Sequence, residues 1–314
     1  MKKLFALVLC LMLPLGCTAA FAEGETHTVY LITMDLFDAH WVGVDEGCQA
    51  AVAELAEQGI NINYVWNAPT QGKDDAAQIE CINNAYADNA EVILLASNGP
   101  DTQVATLEEL SNNGVIIIYV DSPANFDGAV QTLATNNKNA GVLAGEQMLA
   151  ALEAKGITEG TIGIVNVNAA TDSTAQREAG FREALDGSGF EILETQYSNG
   201  DATLSQEIAN NFITEGVVGL FGANEGCSVG VGNAIAANGN ELTGVGFDKS
   251  DAILNLVKDG SLLCTMAQNP YEMGYQGMLT AAAALQGETE FEDVDTGVSV
   301  LDAAAAEELL AAAE

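Results

Sequence analysis

Basic side chains are scarce. The chain carries 9 Lys and Arg against 45 Asp and Glu, a formal net charge of -36. Nucleic-acid binding needs cations that neutralise phosphates, and attraction to anionic lipid headgroups needs them too. So acidic a surface excludes both as partners. Histidine is scarcer still, with only His27 and His40. Of these, His40 alone stands where a general base is plausible, and it has no Ser or Cys partner at a recognisable spacing. G-x-S-x-G, P-loop and H-E-x-x-H segments are missing. No glycine fingerprint for a dinucleotide follows the first predicted strand, where Asp35-Leu-Phe-Asp-Ala stands instead. These absences point away from an enzyme and from any cofactor or metal. Six cysteines are present, two of them (Cys10 and Cys17) near the start. The others, Cys48, Cys81, Cys227 and Cys264, include no C-x-x-C pair, so no metal or redox signature exists. Cys48 and Cys81 fall on consecutive predicted helices that should cover opposite faces of one sheet. Free, buried thiols are therefore expected.

The chain opens as an export signal. Lys2 and Lys3 precede the apolar run Leu4 to Leu15, and Ala20-Phe21-Ala22 supplies a small-x-small cleavage site. Residues 1–22 are read as a signal peptide, with the mature chain beginning at Glu23. A rival lipoprotein-type site lies at Leu15-Gly16-Cys17, with Pro14 where that motif prefers Leu; its use would leave a lipid anchor on Cys17. The signal holds two of the lysines and no acids, so the mature chain keeps 7 basic against 45 acidic residues, or -38. Export places the protein in the periplasm or on the outer cell surface.

From Glu23 onward, near-continuous apolar runs alternate with amphipathic stretches. Strands are predicted at Val29–Met34, Ile62–Trp66, Val92–Ala96 and Val115–Val120, each apolar on both faces as a buried parallel strand must be. Helices at Gly43–Gln58 and Asp101–Asn112 have the length of right-handed crossovers, and Gly59 and Gly114 stop them. The pattern restarts after Asn136. Strands follow at Thr161–Val165, Phe190–Leu193, Val217–Phe221, Leu242–Phe247 and Leu262–Met266, with helices at Ser173–Leu185 and Leu204–Phe212. The fold class is α/β, with two doubly wound parallel-sheet lobes. No Pro- or Gly-rich linker separates them. Residues 303–314 form a further, alanine-rich helix.

Polar side chains close several strands: Asp121, Asn224, Asp248 and Gln268. Ligands of open parallel sheets sit beyond the carboxyl ends of the strands, so these residues describe one polar pocket between the lobes. Carboxylates and amides suit sugar hydroxyls, which both donate and accept. The first βα loop adds His40 and Trp41, whose rings suit a sugar's apolar face, and Arg177 supplies donors. Each also has an ordinary alternative. Strand-end Asp and Asn often cap helices, Trp41 fits a core, and Arg177 has Glu178 and Glu183 nearby.

Read in order, several segments resemble the class I periplasmic solute-binding proteins, the ribose-binding proteins of sugar ABC importers in particular. They include Ala39-His-Trp-Val-Gly-Val-Asp-Glu-Gly47, Pro69-Thr-Gln-Gly-Lys-Asp-Asp-Ala-Ala-Gln78 and Tyr119-Val-Asp-Ser122. Further on come Thr135-Asn-Asn-Lys-Asn-Ala-Gly141, Ala175-Gln-Arg-Glu-Ala-Gly-Phe181, Ala223-Asn-Glu225, Val245-Gly-Phe-Asp248 and Met266-Ala-Gln-Asn-Pro270. The resemblance spans the mature chain. It implies a ligand set of Asp38, His40, Trp41, Asp121, Arg177, Asn224, Asp248 and Gln268. Asp38 stands for a family asparagine, and His40 and Trp41 stand for two ring-stacking phenylalanines. Ser122 replaces a family arginine and Gly200 a third phenylalanine, so ribose itself is not implied over another pentose, a hexose, a polyol or a modified sugar. The resemblance further implies a three-strand hinge with crossings near Thr135-Asn136, Gln268-Asn269 and Asp295-Thr296. The lobes would then be residues 23–135 with 269–295, and 136–268 with 296–314. It also implies closure on the ligand and delivery of the sugar to an ABC transporter permease by a monomer. The alternative is a sugar-sensing receptor for a chemotaxis or sensor-kinase partner.

Overall fold

The computed structural model describes residues 26–70, 74–169 and 171–312. The predicted signal peptide and Cys17 lie outside them. In chain order the first part runs β1 (Thr26–Ile32), α1 (Ala39–Glu57), β2 (Asn61–Asn67), α2 (Asp75–Ala87), β3 (Val92–Leu95), α3 (Val104–Asn112), β4 (Ile116–Val120) and β5 (Gln131–Ala134). It continues with α4 (Asn137–Ala154), β6 (Gly160–Asn166), α5 (Asp172–Leu185), β7 (Phe190–Ile192), β8 (Gln196–Tyr197), α6 (Ala202–Glu215), β9 (Gly219–Gly222) and α7 (Glu225–Ala237). The chain ends with β10 (Thr243–Phe247), α8 (Asp251–Lys258), β11 (Cys264–Gln268), α9 (Pro270–Leu285), β12 (Val294–Asp295), β13 (Val298–Leu301) and α10 (Ala303–Ala312).

Two sheets form. The first has the order β12-β5-β4-β3-β1-β2, and the second β13-β11-β10-β9-β6-β7 with β8 beside β6. Every pair in the first sheet is parallel, and in the second only β13 runs antiparallel, against β11. The apolar runs are apolar because both faces are covered: Val29, Leu31, Ile32 and all of Val92–Leu95 are without solvent exposure. In the first sheet, Cys48 belongs to the layer that includes α1 and α9, and Cys81 to the opposite layer with α2 and α3. All four described cysteines are free and buried.

The chain passes between the sheets after β5, after β11 and after β12. Backbone and side-chain bonds tie the first and third passages together. Thr296 N–H donates to Ala134 O at 3.0 Å, and Asn136 N–H to Asp295 Oδ1 at 3.0 Å. The Thr135 hydroxyl donates to Gly297 O at 3.2 Å. Strands β5, β8 and β12 were not expected. They are short, and backbone pairing with neighbours defines them more than any apolar run.

Strand-to-helix turns are set by side-chain caps. Asp38, Asp74, Asn136, Asp201 and Asn224 each accept an N–H in the first turn of the helix that follows. Such a cap contributes on the order of 1 kcal/mol. The Asp38 cap starts α1 at Ala39, not at Gly43. His40 and Trp41 are thus in the first helical turn rather than in a loop. Helix α4 lies tightly against α5. A Cβ at Gly141 would stand 2.0 Å from Arg177 O, and one at Gly180 1.9 Å from Lys138 O, so only hydrogen fits at either place.

Candidate ligand-binding site

At the carboxyl end of β4, Asp121 adopts a left-handed backbone, φ 65°. Its N–H donates to Leu133 O at 2.8 Å. The Ser122 hydroxyl donates to Oδ2 at 2.6 Å, and His40 Nε2 lies 3.4 Å from Oδ1. Burial pushes the Asp121 pKa upward. The contact and charge of His40, the Ser122 hydrogen bond and the charge of Arg177 outweigh burial and hold it at about 2. For His40, burial would lower the pKa, but Asp121, then the charges of Asp248 and Asp38, leave it raised.

Asp248 occupies the matching place after β10, with φ 73° and its N–H on Met266 O at 2.9 Å. Oδ2 accepts the N–H of Glu225 at 2.9 Å, and Oδ1 accepts Gln268 Nε2 at 2.7 Å. Arg177 Nη1 is 3.9 Å from Oδ2. The guanidinium is almost fully buried and strongly oriented. Nε donates to Asn137 Oδ1 at 2.8 Å, Nη1 donates to Ala223 O at 3.1 Å, and its carbon sits 3.7 Å from the Phe247 ring centre. Burial lowers its pKa, and Asp248 and Asp121 oppose that shift. Glu178 and Glu183 pair elsewhere, with Arg182 and Lys138.

Asn224 faces two ways. Its Oδ1 caps α7 through Cys227 N–H at 3.0 Å. Its amide nitrogen would be 3.2 Å from a Cβ at Gly200, whose φ of 76° also disfavours a side chain. Gln268 Oε1 is buried and accepts no hydrogen bond. Asp38 uses Oδ1 to cap α1 through His40 N–H at 2.9 Å, and Asp35 Oδ1 accepts the N–H groups of Phe37 and Asp38.

The structure therefore brings Asp121, His40 and Asp38 together at one sheet, and Asp248, Arg177, Gln268 and Asn224 together at the other. Charges from the two groups act on each other, as Asp248 does on His40 and Arg177 on Asp121. Trp41 differs from expectation. It is 4% exposed and packs into the core layer of α1 and α9, its ring edge-on to His40 with centroids 4.7 Å apart. It is a core residue in the first turn of α1, as its ordinary alternative had it, and not an aromatic of the βα loop. Sequence reasoning missed Glu225, held against Asp248, and Asn137, which aims Arg177. Both neighbour residues already singled out, but nothing in a strand-end pattern marks the first residues of a helix.

A family model described as a periplasmic binding protein domain matches residues 29–289. The chain belongs to this family. Its members are substrate-binding transport proteins, not enzymes. The ribose import binding protein of Haemophilus influenzae is 24% identical over 290 residues, covering 92% of this chain and 95% of the relative. The D-ribose/D-allose-binding protein of Pseudomonas aeruginosa is 24% identical over 295 residues, covering 90% and 89%. Among solved structures, a carbohydrate transporter solute-binding protein from Agrobacterium radiobacter in complex with D-arabinose superimposes with TM-score 0.79. It is 28% identical, with 94% of this chain and 99% of that one covered. A solute-binding protein from Agrobacterium vitis with bound D-fucose gives TM-score 0.77 at 28% identity, with 88% and 95% covered. Membership makes the protein an exported one, and among the described residues no helix is long and apolar enough to cross a membrane.

Proposed function

We propose that this protein binds a monosaccharide or related polyol in the cleft between its two lobes and delivers it to the membrane permease of an ABC importer. The observation that carries this reading is the pairing of Asp121 with Asp248, two left-handed aspartates at matching strand ends on different sheets. Each presents a carboxylate that can accept from adjacent hydroxyls, and charge-assisted bonds of this kind are the stronger ones. Arg177, Asn224, Gln268, His40 and Asp38 complete the polar lining, with Trp41 behind His40. The relatives that bind ribose, allose, arabinose and fucose support the ligand class.

In this reading the lobes are residues 23–135 with 269–295, and 136–268 with 296–314. Ligand contacts from both lobes favour the closed state by their differential affinity, and the three crossing segments act as the hinge. The protein works as a monomer, and export removes residues 1–22. Mass spectrometry of the exported chain distinguishes a start at Glu23 from lipidation at Cys17. The function is tested by thermal-shift screening of the mature protein against monosaccharides and polyols, since a tight ligand raises Tm by mass action. Calorimetry then gives the affinity of each hit. A protein that binds no sugar or polyol in either assay refutes the reading.

A further inference from the structure

Two pairs of large apolar side chains face water at the carboxyl ends of strands. Leu36 and Phe37 follow β1 and are 40% and 71% exposed; among the described residues no other large apolar side chain is as exposed as Phe37. Tyr197 ends β8 and Leu204 lies in the first turn of α6, 45% and 39% exposed. Apolar residues scattered singly on a surface are ordinary, whereas clustered ones mark contact surfaces.

Neither pair sits on slack chain. One oxygen of the buried Asp35 carboxylate accepts the N–H of Phe37 at 3.0 Å and that of Asp38 at 2.8 Å. The Thr33 hydroxyl donates to Asp35 O at 2.7 Å and accepts Trp66 Nε1 at 2.8 Å, which ties this turn to the end of β2. In the second lobe Asp201 caps α6 through the Leu204 N–H at 2.7 Å, and the N–H groups of Ser198 and Asn199 donate to Asn166 O and Val167 O.

Sheet order places both pairs. The passages between lobes involve β5 and β12 at one side of the first sheet, and β11 and β13 at one side of the second. Strands β1 and β2 lie at the far side of the first sheet, and β6, β7 and β8 at the far side of the second. The two pairs therefore flank the mouth of the cleft, one on each lobe, where rotation about the crossings moves atoms furthest. We propose that Leu36 and Phe37 form one half of an apolar latch and Tyr197 and Leu204 the other, and that the halves meet when the lobes close, shed their water and hold the closed state. This rests on the reading of the cleft as a ligand site that closes about a hinge. The latch joins protein to protein, so it favours closure by the same amount whatever sugar is bound, and affinity rises with the closed population.

The test is calorimetry on the mature protein with ribose, arabinose, allose, fucose and tagatose. Phe37→Ala and Tyr197→Ala are each expected to weaken every sugar that binds by about three- to tenfold, the scale of an aromatic contact. The ligand-free Tm is expected to stay put, because both side chains are exposed there. Tyr86→Ala is the control, 41% exposed but near the end of α2, away from the cleft; affinity within about twofold of wild type is expected. Combining Phe37→Ala with Tyr197→Ala or with Leu204→Ala is expected to cost clearly less than the product of the single losses, since one contact cannot be lost twice. Wild-type affinity in Phe37→Ala, or single losses that simply multiply in both combinations, overturns the latch while the sugar-receptor reading stands. Binding of none of these sugars by the wild-type protein removes the receptor reading and the latch with it.

Discussion

Asp121 and Asp248 are held in the same way. Each leaves a central strand in a left-handed conformation, and each N–H reaches the neighbouring strand, at Leu133 O and Met266 O. The strand they follow, β4 or β10, has the same place in its sheet. A non-glycine residue in this region is strained, least so for Asp and Asn, and such strain clusters at functional sites. Replacing either aspartate by Ala is expected to weaken binding of the cognate sugar by about 2–5 kcal/mol, the cost of removing one partner from a buried charged contact. Calorimetry on folded variants measures it, and wild-type affinity in both would show that these carboxylates do not touch the ligand.

Trp41 and His40 are neighbours with different expected losses. Trp41 is a core residue, so Trp41→Ala is expected to destabilise the fold by about 3–5 kcal/mol as well as to weaken binding. His40→Ala, on a more exposed side chain, is expected to weaken binding with a much smaller fall in Tm. Paired melting and calorimetry separate the two. A Trp41→Ala protein with wild-type Tm would contradict its place in the core.

The His40–Asp121 contact makes stability depend on pH from both sides. Asp121 has a depressed pKa, from 3.8 to about 2, so its contribution is complete above the ordinary value and is lost as pH falls through that interval. His40 has a raised pKa, so its contribution is complete below its ordinary value of 6.5 and is lost as pH rises through the higher folded value. The Tm gap between wild type and His40→Gln is therefore expected to be widest near pH 5 and to shrink toward pH 9. Melting curves across that range check the sign. A gap that widens with pH would rule out the ion pair.

Helices α4 and α5 meet at Gly141 and Gly180, one turn from Arg177 in the second case and against its carbonyl in the first. Gly141→Ala is expected to push the helices apart, cost about 1–3 kcal/mol of stability by overpacking, and displace the guanidinium from Phe247. Affinity should fall along with Tm. Normal affinity in this variant would mean that Arg177 is positioned by Asn137 and Phe247 alone.

Saturation with the cognate sugar is expected to reduce the radius of gyration in small-angle scattering, because neither sheet alone supplies all the proposed contacts. An unchanged radius with binding confirmed by calorimetry would place the site within one lobe or the apo protein already in its closed form.

The sequence by itself determined the two α/β lobes, since strands buried on both faces must be apolar throughout and the crossovers must be helical. It also determined the strand-end aspartates, because a polar residue that terminates an apolar run has few other places to be. What only the tertiary structure decided was partnership. Arg177 has acidic neighbours in sequence but turns to Asp248 and Phe247, because α4 at glycine distance closes its other directions. Trp41 reads as a loop aromatic until the Asp38 cap starts the helix early and turns the ring into the core. Glu225 gains its meaning from Asp248, 23 residues away, through a single N–H. The short strands β5 and β12 are defined by their pairing with each other, Val294 with Leu133 and Asp295 with Ala134, across 161 residues, a distance over which no local pattern operates.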